Sequence, residues 1–151
     1  MTTKPDKRGS AREKGLTYRA LMARKSWSPL PSAAVLAGTA DFFKSLVLKR
    51  FTRELFGDGP QEVRRFQGPS GERGSEELPL ATVLDELRTP SFFSPYRLVV
   101  VEKANAFIAA NGESFIPFLQ GGFSGGHLVV FIDGKLDGRT RFAKAVAESG
   151  W

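Results

Sequence analysis

The chain has 151 residues, 41% of them apolar and 25% charged, a composition that fits one globular domain around a single core. The absence of cysteine removes disulfides, thiolate nucleophiles and Cys-based zinc sites, and the single histidine, His127, cannot build a multi-histidine metal cluster. No run approaches the roughly eighteen apolar residues of a membrane span, and Met1 to Ala11 is charged without the apolar stretch of a secretory signal, so a cytoplasmic protein with no membrane partner is expected.

The net charge of +6 points to a polyanionic partner only if the charges lie on the folded part. They do not: residues 1–30 carry eight cations (Lys4, Lys7, Arg8, Arg12, Lys14, Arg19, Arg24 and Lys25) against Asp6 and Glu13, leaving 14 of each sign in residues 31–151. Residues 1–16 therefore read as a disordered basic tail, a solvated segment with the option of touching DNA phosphates.

Thr17 to Arg24 reads as a short helix, followed by a linker through Ser28-Pro29-Leu30-Pro31, so the compact domain is expected from Ser32 onward. Ala33 to Ala37 is a strand. Gly38 turns the chain, Thr39 or Asp41 can cap, and Phe43, Val47, Phe51 and Leu55 recur as one helix face until Gly57-Asp58-Gly59-Pro60. Glu62 to Phe66 alternates as an edge strand, and residues 68–75 form a Gly-rich loop. Leu80, Val83, Leu84 and Leu87 mark a second helix that ends before Pro90. Leu98 to Val101 and Leu128 to Ile132 are continuous apolar runs of buried strands, with His127 as a structural strand-edge histidine. A helix is expected over Asn111 to Gln120 despite Pro117, and a last one over Arg139 to Ala147. Strands alternating with helical patterns give a three-layer α/β domain around a mostly parallel sheet.

The first strand-to-helix junction is where such folds cradle phosphate. Against the pattern G-x-x-x-x-G-K-[ST], Gly38, Lys44 and Ser45 match, but Phe43 replaces the second glycine. A phenyl ring there blocks close approach of the backbone to phosphate and is expected to pack under the sheet, while Lys44 and Ser45 read as surface polarity. Asp41 adds negative charge where phosphates would sit. Val99-Val100-Val101 leads into Glu102-Lys103 with no Asp before the Glu, so the magnesium carboxylates are incomplete too. No cofactor, metal or catalytic site is expected.

Three segments, in order, resemble the delta subunit of bacterial DNA polymerase III, the part of the replicative clamp loader that binds and opens the sliding clamp. They are Val35-Leu36-Ala37-Gly38-Thr39-Ala40-Asp41-Phe42, the stretch from Leu87 through Thr89-Pro90-Ser91-Phe92-Phe93-Ser94-Pro95 to Val101, and Leu128 to Ala145 with its Lys135-Leu136-Asp137 turn and basic helix. The resemblance covers about residues 20 to 151. It implies an amino-terminal, AAA+-like domain of P-loop ATPase descent at 32–151 with a degenerate phosphate loop, following the tail at 1–16 and the helix and linker at 17–31. It also implies a fragment, since the family's further domains, which hold the other loader subunits, are absent.

The resemblance further implies that Ser91 precedes an apolar pair, Phe92 and Phe93, which inserts into a pocket on the clamp's beta subunit; Phe92 departs from the leucine common in the family. From the residues alone, Thr89-Pro90 and Ser94-Pro95 bracket the pair on a stiff turn that exposes at least one ring, and the alternative is that both cap the core beside Leu98. The implied protein is not an enzyme by itself, although its parent complex is a nucleotidyltransferase, and it meets DNA indirectly or through the tail. Two other functions stay open: a small P-loop ATPase or kinase using Lys44 and Ser45, and a nucleic-acid-binding module driven by the basic arm.

Overall fold

A computed structural model describes residues 17–70, 77–90, 92–123, 125–136 and 139–149. The basic tail, and residues 71–75 of the loop at 68–75, lie outside the described residues. The elements run α1 (Tyr18–Met22), β1 (Ala33–Gly38), α2 (Asp41–Phe56), β2 (Val63–Gln67), α3 (Leu80–Arg88), β3 (Arg97–Glu102), α4 (Asn105–Gly121), β4 (Gly126–Asp133) and α5 (Arg141–Ser149). The four strands form one parallel sheet in the order β1-β4-β3-β2, which bears out the three-layer α/β reading.

The central positions go to the strands that are apolar on both faces. Leu98 to Val101 of β3 and Leu128 to Val130 of β4 are at most 1% exposed, because a strand covered by helices on both sides has no face left for polar residues. Alternate side chains then feed two cores. On one face Val99, Val101, Leu128 and Val130 meet Val83 and Leu87 of α3, Phe107 and Phe115 of α4 and Phe142 of α5. On the other, Leu98, Val100, Val129 and Phe131 meet Val47, Phe51 and Leu55 of α2. β2, whose Arg64 and Arg65 face solvent, pairs only with β3 as an edge strand.

The packing and the helix ends depart from the sequence reading at four places. Residues ahead of Ser32 already pack on the core: Leu21 and Trp27 are buried with the α2 residues, the Trp27 indole donates to the Leu21 carbonyl at 3.1 Å, and the Arg50 guanidinium lies 4.5 Å from the indole centroid. Arg50 also donates to the carbonyls of Met22 (3.2 Å) and Arg24 (2.7 Å), stitching the segment to α2. The N-cap of α2 is Ala40, not Thr39 or Asp41, and no side chain caps it.

α4 starts at Asn105, six residues before the expected Asn111, and runs through Pro117. Its first turns bury Phe107 and Ile108, and Gly112 is no helix stop: a β-carbon there would stand 3.1 Å from Cβ of Phe142, so the glycine allows α4 and α5 to approach. Pro117 is exposed and its helix is held by the buried Phe115 and Leu119. The fourth difference is at the last helix, which begins at Arg141 instead of Arg139 because the Thr140 hydroxyl accepts from the Ala143 amide at 3.1 Å as its cap.

His127 sits at the start of β4. Its Nδ1 is 2.7 Å from the Pro31 carbonyl, which can only accept, so Nδ1 carries the proton. The ring lies edge-on to Phe51 (6.0 Å) and Tyr96 (6.2 Å). Burial holds its pKa below the usual 6.5, against the opposing pull of the Pro31 bond.

Two stability measurements check this packing. Trp27→Ala is expected to lower the unfolding free energy by about 3–5 kcal/mol in urea titrations, as for a buried aromatic; a loss under about 1 kcal/mol would mean that residues 17–31 are peripheral. Because folded His127 binds its proton less readily than the unfolded chain, its contribution is complete above about pH 6.5 and is lost as pH falls below that value. Urea midpoints measured from neutral to mildly acidic pH should therefore drop less steeply in His127→Gln than in the wild type, and identical slopes would remove His127 from the account.

Candidate functional sites at the two edges of the sheet

All four strands point the same way, so the sheet has a carboxyl edge and an amino edge. At the carboxyl edge, β1 leaves toward α2 on one face and β4 toward α5 on the other, the kind of divergence at which open α/β sheets bind ligands. Here the crevice is closed from within. Lys44, only 5% exposed, donates to the carbonyls of Gly38 (2.9 Å) and Ile132 (3.3 Å) and to Oδ1 of Asp133 (3.3 Å), with Oδ1 of Asp41 at 3.2 Å. The Gly134 amide donates to the Gly38 carbonyl at 3.2 Å across the same gap.

An ammonium has three protons, and four acceptors surround this one, so it has no donor to spare for a phosphate. The helix also begins at Asp41, ahead of Phe43, so the backbone that would wrap phosphates is already coiled. Lys44 is thus a buried staple between β1, β4 and α2 and not a solvent-facing lysine, and Phe43 is not packed under the sheet. The Phe43 ring is 44% exposed and lies 4.7 Å from Tyr18 and 5.5 Å from Phe42. The exchange has a physical cause: the crevice supplies acceptors for a cation, so the lysine turns in and the phenyl ring turns out. Ser45 is exposed. A cavity of about 260 Å³ beside this junction is lined by the apolar side chains of Leu21, Val35, Phe43 and Val47 together with Tyr18, Thr39 and Lys44, whose ammonium is already held by the acceptors named above.

The amino edge carries the aromatic pair. Phe92 is 99% and Phe93 72% exposed, on the loop that joins α3 to β3; Ser91 lies outside the described residues. The loop is tied at both ends by Arg97. Its guanidinium donates to the Thr89 carbonyl at 3.2 Å and bridges Glu86 (2.9 Å) and Glu62 (3.5 Å), while its backbone amide donates to the Gly125 carbonyl at 2.9 Å. Within the loop, buried Ser94 accepts from the Tyr96 amide at 3.1 Å. Gly125, at φ 94°, lets the Pro95 carbonyl sit where a β-carbon would be 2.6 Å away.

Sequence reasoning placed Phe92 and Phe93 but missed the role of Arg97. An arginine opening a valine-rich strand, with Glu62 and Glu86 on neighbouring elements, was the available signal. Lys44 was misplaced because its acceptors are backbone carbonyls, which leave no trace in composition. Among the described residues, no group of side chains is suited to a metal ion, and no helix is long and apolar enough to cross a membrane.

No family model and no curated protein matches the chain. Among solved structures, the chain is similar to the Bacillus subtilis DNA clamp loader delta protein (YqeN), with a TM-score of 0.58 over 81% of this chain and 17% identity. The chain spans 37% of the length of that protein. At this identity the likeness is one of architecture: the four-stranded parallel sheet flanked by helices is a fold shared with a clamp-loader delta protein.

Proposed function

We propose that this chain acts as a clamp-loader delta-type domain whose Phe92–Phe93 knuckle docks into an apolar pocket of the sliding clamp and helps to open it during DNA replication. The observation that carries the reading is the exposure of two adjacent phenyl rings on a loop anchored at both ends. Water contact with so much apolar surface is unfavourable, and loops of this kind are the usual bearers of binding residues on a rigid scaffold. The ties through Arg97 restrict the loop before binding, so less conformational entropy is lost on docking.

The domain opens a ring by binding the open geometry better than the closed one, which shifts the population without a hydrolytic step of its own. The engagement of Lys44 by its own carbonyls and carboxylates supports this non-catalytic role and disfavours an ATPase or kinase using Lys44 and Ser45. ATP enters through other loader subunits, held by domains beyond this one. The fold shared with a clamp-loader delta protein supports the same reading.

Titration of labelled sliding clamp against wild type, Phe92→Ala and Phe93→Ala should show each variant at least about tenfold weaker, the cost of truncating an aromatic anchor in a desolvated pocket. Equal affinities would reject these residues as the contact. A fluorescent ATP analogue should show no saturable binding to the wild type, and tight binding abolished by Lys44→Ala would favour the enzyme reading.

A further inference from the structure

We infer that Tyr96 is a second contact for the sliding clamp, a pre-seated aromatic ring that lies against the surface bordering the pocket filled by the Phe92–Phe93 knuckle. Tyr96 stands on the other limb of the same loop, so this contact rests on the clamp reading and extends it. The residue immediately precedes β3 and is 42% exposed.

Its direction follows from the pleat. Tyr96 is in step with Leu98 and Val100, which enter the core on the α2 side of the sheet, and His127 is in step with Val129 and Phe131 of the same core. Leu98 and His127 are partners in the register, so Tyr96 and His127 meet where the two strands begin. Their rings lie edge-on at 6.2 Å, and His127 in turn stands 6.0 Å from buried Phe51. An aromatic row thus climbs from the core at Phe51, through His127, to Tyr96 in water. The knuckle follows α3, which covers the opposite face of the sheet.

Capping His127 accounts for only one side of the Tyr96 ring. The rest meets solvent, and its hydroxyl makes no hydrogen bond among the described residues. The backbone around it is fixed: the Tyr96 amide donates to the Ser94 hydroxyl at 3.1 Å and the Arg97 amide to the Gly125 carbonyl at 2.9 Å. A tyrosine has two side-chain torsions, and this one is already seated on His127, so covering it costs little further entropy. It offers a partner apolar area and one hydroxyl, a combination enriched at protein interfaces. The adjacent charge, Arg97, is engaged by Glu62 and Glu86 and does not draw a polyanion to the ring. Continuity with the knuckle makes the same clamp its partner.

The test titrates labelled sliding clamp against the full chain as wild type, Tyr96→Ala, Tyr96→Phe, Phe92→Ala and the double variant Phe92→Ala/Tyr96→Ala. Tyr96→Ala should raise Kd about fivefold or more, and Tyr96→Phe, which keeps the ring against His127, should recover most of that loss. In the Phe92→Ala background the Tyr96→Ala loss should persist, because separate contacts multiply their effects. Wild-type affinity in Tyr96→Ala, with Phe92→Ala weakened, would overturn the Tyr96 contact and leave the knuckle intact. A Tyr96 effect that vanishes once Phe92 is truncated would also overturn it, making Tyr96 a support of the knuckle alone. Weakening in Tyr96→Ala with none in Phe92→Ala would support Tyr96 and reject the knuckle, whereas no clamp binding by the wild type would remove both. A readout on the unmutated chain stands if Tyr96→Ala does not fold. The chain has two tyrosines, and Tyr18, beside Phe43 at the far edge, serves as the internal control. Clamp should slow nitration of Tyr96 by tetranitromethane, mapped by mass spectrometry, and leave that of Tyr18 unchanged; equal nitration of Tyr96 with and without clamp would overturn the contact.

Discussion

The ammonium of Lys44 is bonded to the carbonyl ends of two strands and flanked by carboxylates from a helix start and a strand end. A buried charge is costly unless nearly every donor is satisfied, so this set of acceptors fixes the lysine and, through it, the meeting of β1, β4 and α2. The same contact turns Phe43 outward and closes the crevice in which a related fold would seat a nucleotide. Phe43, where the phosphate-loop pattern has glycine, and one inward lysine thus set what the carboxyl edge can do.

With that edge closed, the amino edge offers the more distinctive surface. The sheet there is rigid because β3 and β4 are buried on both faces, and Arg97, the first residue of β3, transmits that rigidity to the loop before it. Arg97 joins Glu62 ahead of β2, Glu86 of α3 and the loop's own Thr89. An aromatic pair on an untethered loop would collapse onto the nearest apolar surface; a loop pinned at both ends holds Phe92 in water. The fold therefore separates two surfaces by the full length of the strands.

Much of this was legible in the residues. Continuous Val and Leu runs identified the central strands, the alternation in β2 marked an edge, and the prolines around Phe92 and Phe93 foretold an exposed turn. What escaped reading was decided by partners distant in the chain. Gly112 lay inside the helix expected from Asn111 to Gln120, but its place is set by Phe142 on another helix. Trp27 lies in a stretch with the composition of a linker, and it is buried in the α2-side core, where Leu21 accepts from its indole and Arg50 covers its ring. Periodicity assigned Phe43 to the core since it cannot register that carbonyl oxygens of two strand ends draw the next residue, Lys44, inward. Local pattern governs elements; the choice between a greasy and a charged side chain at one turn depends on the whole assembly of strand ends.

In the proposed arrangement a protein partner is met at the amino edge while the carboxyl crevice stays closed to nucleotide. Amide hydrogen exchange of the chain, with and without sliding clamp and with magnesium ATP as a parallel addition, tests it most directly. Slowed exchange across residues 89–97 is expected on adding clamp, and no change at 38–45 on adding ATP. Protection at 38–45 with ATP, and none at 89–97 with clamp, would contradict it.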